Sequence, residues 1–481
     1  MLTCKRGGGF TDILPTPFSP CFPEVSAPMQ PKETADLLIA PHWLLPVAPE
    51  STAASEHAVV VTAGRIVAVG RVADLDARFE PRERVSRPNH ALLPGFVDAQ
   101  THASMTLLRG LPVYPPLMRW MRETMAPAEL RSVSPDFVRD GTTLAIAAML
   151  RAGITTFAGS DPFSGEAARA AAEARVRAVI GLPVSESASA WAEDAMAHFV
   201  RAERLWDEYK SSPWVSLYFA LPASYEISDR LLTHLRSVAD EIDARVAMPV
   251  NESEVEVHDT LSQHGCRPLQ RLANVGLLRP GFTALHMNRL DEADLELARQ
   301  TGIAAVACPQ SDLRLGSGSC PVAELSARGV TVGLGTGSPV SAGAFDLLAE
   351  ARLAAQLQAS DAARSRDEGR DHAGANVSSA FWLQLATLGG ATALGLGGTC
   401  GSIEVGKAAD LVCIDLGALA AGPSATVADA VLFSTTRQQV SDVWVGGRAA
   451  VSGGHLLAFD EGELQRLAKQ WNERINSGGV A

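Results

Sequence analysis

The residues best equipped for chemistry sit at the ends of short apolar runs. In "LLPGFVDAQTHASMTLLRGL" (92–111), His102 follows Gln100 by two positions. The stretch has the build of a strand that delivers a His-x-His pair to a metal, with Gln100 standing where the first histidine belongs. A second run, "ARVAMPVNES", ends on Asn251 and Glu252, and a third, "FTALHM", ends near His286. His102, His286 and Glu252 form a two-His-one-carboxylate set of the kind that holds iron or zinc. Without a metal the same groups are an acid and a base, because burial raises a glutamate pKa toward neutrality, where proton transfer works best. Cys308 also falls at a run's end, in "AAVACPQS", but no base adjoins it in sequence and a nucleophilic thiol is not expected. Each residue has a plainer reading as well. His102 and His286 are then packed strand residues, and Glu252 joins Glu254 and Glu256 in a solvated helix start.

Positioning such residues takes repeated strand ends on one side of a scaffold, and the chain supplies them. "SPDFVRDGTTLAIAAMLRAG" predicts an amphipathic helix with a serine cap and a glycine stop, followed by the strand "ITTFAG". "GEAARAAAEARVRA" predicts another helix and "VIGLPV" another strand. "VSLYFALPA", "ARVAMPVNES", "FTALHM", "AAVACPQS" and "TVGLGTGS" continue the alternation. Repeated βα units over this length predict an α/β fold, a (β/α)8 TIM-like barrel over 93–395 with its chemistry at the C-terminal strand ends. "TAGRIVAVG" reads as a hairpin, and "GKAADLVCIDL" and "VSDVWVGGRAAVSGG" show the same alternation at the far end. Both chain ends are therefore expected to build one small β-sandwich domain, over 35–92 and 396–460, with a C-terminal helix and tail at 461–481. The Pro/Gly-rich opening predicts a disordered extension at 1–34 without a signal peptide, Met29 being an alternative start.

The 481 residues suffice for one large and one smaller domain. A net charge of -13 argues against nucleic acid as a partner, and no apolar run is long enough to span a membrane. Seven scattered cysteines without a C-x-x-C pair argue against a disulfide framework or a thiolate zinc site, and for a reducing cytoplasm.

The framework "LLPGFVDAQTHASMTLLRGL", "LRLGSGSCPVAEL", "VGKAADL" and "VSDVWVGGR" resembles the amidohydrolase superfamily, in the branch of 5'-methylthioadenosine/S-adenosylhomocysteine deaminases and s-triazine hydrolases, from about residue 35 to 470. The resemblance implies one zinc or iron, bound by a His-x-His on the first barrel strand, a histidine on the fifth and an aspartate on the eighth. Here those positions carry Gln100 and His102, Pro249 ("AMPVNES") and Gly337 ("GLGTGSP"); Pro222 and Ala307 replace two further histidines. It also implies that Glu252 matches the proton-shuttling glutamate, His286 the histidine that steadies the attacking water, and Glu129 ("MAPAEL") the carboxylate that receives ribose hydroxyls.

A bound zinc lowers the pKa of its water from about 15.7 to about 7, roughly 12 kcal/mol of help at about 1.36 kcal/mol per unit. Pro249 and Gly337 offer no side-chain donor. The expectation is therefore an enzyme without metal or other cofactor, using Glu252, His286 and His102 as acid and base for elimination, isomerisation or cyclisation. Glu129, Gln100 and Asn251 would bind a nucleoside-like or other small polar ligand. One alternative is a catalytically inactive ligand-binding or regulatory subunit. Another is a metal-dependent aminohydrolase, an adenosine-type deaminase, with a rebuilt site. By the same resemblance the chain forms a homo-oligomer, or a hetero-oligomer with an active relative.

Overall fold

The computed structural model describes residues 32–49, 52–367, 377–417 and 424–477. The expected extension, up to residue 31, and the last four residues of the expected tail lie outside them.

Eight parallel strands pair in sequence order, each with its successor, from Phe96–Thr101 through Ile154–Gly159, Arg177–Pro183, Val215–Ala220, Arg245–Val250, Phe282–His286 and Ala304–Ala307 to Thr331–Leu334. Just beyond the eighth strand, Gly337 closes the ring onto the first: its N–H donates to the Gln100 carbonyl at 2.8 Å, and the His102 N–H donates to its carbonyl at 2.9 Å. Asp98 straps the same seam from below, accepting from the Thr336 N–H at 2.9 Å and the Thr336 hydroxyl at 2.6 Å. Small and branched side chains fill the barrel interior, among them Val97, Ala158, Val179, Ala247, Leu285 and Val306. This is the packed core that such barrels require.

Local chemistry sets the outer helices. Pro135–Arg151 begins on Ser134, whose side chain accepts from the Phe137 N–H, and stops before Gly153 at φ +81°. In the small domain the strands His57–Thr62 and Arg65–Arg71 turn through Ala63 and Gly64, both at positive φ, the geometry a two-residue hairpin needs. The chain ends meet on the long strand Phe79–Pro94. It pairs in parallel with Glu33–Leu44 on one side and antiparallel with Leu411–Asp415 on the other, within a mixed nine-stranded sheet. No described helix is long and apolar enough to cross a membrane.

Candidate active site

The C-terminal strand ends surround a cavity of about 390 Å³. Gln100, His102, Glu129, Glu252 and His286 line it, as do Pro222 and Pro249. The segment after the first strand covers one side with Met105, Leu117, Met118, Trp120, Met121 and Met125.

His286 ends the sixth strand in a left-handed conformation, φ +72°, which turns the ring toward its neighbours. Its Nδ1 lies 2.7 Å from Asp312 Oδ1, and its Nε2 lies 3.8 Å from Glu252 Oε1. Asp312 accepts at Nδ1, so that nitrogen carries the proton and Nε2 faces the glutamate. Burial pulls the His286 pKa down, but the carboxylates of Glu252 and Asp312 outweigh it and hold the ring up at about 10. Burial pushes Glu252 up to about 7, against the pull of His286.

Sequence reading passed over Asp312. It lies on the short helix Pro309–Leu315 after the seventh strand, 1% exposed, with Oδ2 buried and without a partner among the described residues. The signal was an acid four residues past Cys308, the residue that follows the seventh strand, about one helical turn on, which points back at the barrel mouth.

His102 is present but engaged. Its Nδ1 meets the Ser160 carbonyl at 3.2 Å and so carries the proton; its Nε2 lies 3.5 Å from the Gln100 amide nitrogen. Asn251 is a correction. It sits fully buried at φ +53°, its amide donating to the Arg289 carbonyl at 3.1 Å and to Asp294 Oδ2 at 2.9 Å. Asparagine tolerates that left-handed turn, and its side chain ties two loops together rather than lining the cavity. Cys308 is fully buried, and burial pushes its thiol pKa up, away from the thiolate that a nucleophile needs.

Whether these residues suit a metal can be judged at two places. At the strand-end positions they do not. The Gln100 amide meets the His102 lone pair, Pro249 has no donor, and Gly337 sits at φ +64° with Ser311 only 3.0 Å from where a Cβ would stand. At Glu252, His286 and Asp312 they do. One ligand atom from each lies within 4.8 Å of the others, giving an imidazole and two carboxylates, with a buried oxygen of Asp312 lacking a partner among the described residues. Three such protein ligands and an open position are the make-up of a catalytic zinc site.

Residues 91–450 match the profile of the amidohydrolase family. The chain belongs to that family. Among family members, 5-methylthioadenosine/S-adenosylhomocysteine deaminase of Teredinibacter turnerae is 34% identical, covering 92% of this chain and 98% of the relative. The protein of that name from Saccharophagus degradans is 33% identical, covering 93% and 99%. The crystal structure of an adenosine deaminase from Xanthomonas campestris with bound zinc superimposes with a TM-score of 0.88 at 39% identity, covering 93% of this chain and all of that one. Zinc-bound atrazine chlorohydrolase from Arthrobacter aurescens, 19% identical with a TM-score of 0.83, shares the amidohydrolase fold.

These relatives correct the expectation of a metal-independent acid/base enzyme, and with it those of an inactive subunit and of no metal. Chains alike over nearly their whole length are deaminases, one of them carrying zinc. The error had a physical source. The metal was judged at the family's ligand positions and at the set His102, His286 and Glu252, whereas the fold brings a further carboxylate, Asp312, against His286 and Glu252.

Proposed function

We propose that the protein is a metal-dependent aminohydrolase that removes an amino group hydrolytically from the heterocycle of a nucleoside-like substrate. The convergence of Glu252, His286 and Asp312 beside the cavity carries the reading, and the deaminase relatives support it. Those three residues would hold the metal. Bound there, it supplies a water acidified to near neutrality.

The remaining steps belong to the chain. Without the metal, Asp312 Oδ1 accepts a hydrogen bond from His286 Nδ1, whose proton metal binding would displace. Glu252 has two oxygens, one for the donor set and one open to the cavity; it takes the proton of the attacking water and returns it to the departing amine. The Gln100 amide orients the ring at the cavity floor, beside His102, which the Ser160 carbonyl holds in place. The methionine-rich wall excludes water, which strengthens each polar contact inside.

Ammonia release from adenosine and 5'-methylthioadenosine tests the reading. We expect release that chelator abolishes and added zinc restores. Release unaffected by exhaustive chelation, or no release from either nucleoside by the zinc-loaded protein, would count against it.

A further inference from the structure

A second cavity, of about 400 Å³, lies where the barrel domain meets the chain-end sheet. Among the described residues it shares no lining residue with the catalytic cavity. Arg109 and Arg151 line it from the barrel side, and Arg437, Gln438, Val440 and Gly454 from the chain-end side. Three arginines around one small cavity, in a chain whose net charge is -13, reverse the overall field locally.

Their partners leave most of that charge uncompensated. Arg151 Nη1 stands 3.6 Å from Glu461 Oε2, a loose pair whose side chains are both exposed. Arg109 gives one of its five N–H groups to the Thr106 hydroxyl, at 2.9 Å. The Arg437 guanidinium makes no hydrogen bond or ion pair among the described residues. Burial and the nearby charge of Arg437 hold the Arg109 pKa below its ordinary value. Like charges held close together repel, and an anion between them removes the cost.

Both groups are held where they are. The Arg109 guanidinium lies 5.6 Å from the centroid of the buried Phe345 ring, within reach of its π face. Arg437 opens a turn that a capping box fixes: the Thr436 hydroxyl accepts from the Gln438 N–H at 3.3 Å, and Gln439 Oε1 accepts from the Thr436 N–H at 2.7 Å.

We propose that this cavity binds a diphosphate group, held by Arg109, Arg151 and Arg437 with Gln438 as a neutral donor. A carboxylate offers two oxygens in one plane, enough for one guanidinium fork. A diphosphate offers oxygens on several sides and two or more charges, enough for three forks from separate elements. The volume lies within the range of about 300–1,000 Å³ usual for small-ligand sites. Because its walls come from both domains, the bound anion ties one to the other.

Calorimetric titration of inorganic diphosphate into the full-length, zinc-loaded protein at fixed ionic strength tests the proposal. We expect one site per chain with a Kd below about 1 mM, and a Tm that rises as the site fills. Arg437→Gln should weaken binding by about tenfold or more, and Arg109→Gln, on the opposite wall, should do the same. Arg437 has no side-chain partner to lose among the described residues, so its variant should melt as the unmutated protein does without anion. Adenosine diphosphate separates two sources of the same chemistry. Equal affinity marks the diphosphate alone as the ligand; tighter binding that Arg437→Gln also weakens marks a nucleoside diphosphate. Neither heat nor a Tm shift with either anion at up to about 10 mM overturns the proposal. Binding that both variants leave unchanged also overturns it, since the anion then sits at the metal or elsewhere.

Discussion

Asp312 alters what Gln100, Pro249 and Gly337 signify. Taken alone they describe a dismantled site; under the proposed function the donors stand elsewhere, at Glu252, His286 and Asp312. Asp312→Asn replaces a charged donor by a neutral amide and should weaken zinc affinity by at least the about 10–100-fold that loss of an outer partner costs, with deamination falling in step. Equilibrium dialysis against labelled zinc reads this, and unchanged affinity would show that Asp312 only packs. Asn251 should behave oppositely. Asn251→Ala leaves Asp294 and the Arg289 carbonyl short of a buried donor, a cost of about 1–3 kcal/mol. The urea midpoint should drop while KM stays unchanged. Glu252 and His286 were legible in the sequence because they end recognisable strands. Asp312 was not, since its direction depends on the helical turn after Cys308.

Between elements, the barrel seam holds a titratable strap. Burial raises Asp98 to about 7, against the pull of its Thr336 hydrogen bonds, while the unfolded chain titrates at about 3.9. Between those values the folded state binds the extra proton. The contribution of Asp98 to stability is therefore full below the lower value and is lost as pH rises through about 7. Asp98→Asn should flatten the fall in Tm between about pH 5 and 8 relative to the unmutated protein; parallel curves would refute the assignment. The strands and their order were largely legible, because apolar runs alternating with helical periods leave few arrangements other than a barrel. The closure through Gly337 was not. It depends on a positive φ and on two hydrogen bonds to the first strand, which no spacing announces.

Across the whole molecule, a buried ion pair joins the chain-end sheet to the barrel. Arg177, opening the third barrel strand, donates to Asp410 at 2.8 and 3.4 Å, and Asp410 also accepts from the Gly446 N–H at 2.7 Å. The side chains are 11% and 1% exposed, so Arg177→Ala strands a buried carboxylate at a cost of about 3–5 kcal/mol. Calorimetry should show a lower Tm; an unchanged Tm would mean that the two units are held otherwise. That both ends of the chain share one sheet was legible from their matching alternation, whereas this pair, 233 positions apart, was not. The most direct test of the central claim is zinc content per chain, measured by mass spectrometry on protein purified without chelator, for the unmutated chain, His286→Ala and His102→Ala. The account predicts about one zinc per chain in the unmutated protein and in His102→Ala, and almost none in His286→Ala. Zinc lost from His102→Ala but kept by His286→Ala would return the metal to the first strand and contradict the account.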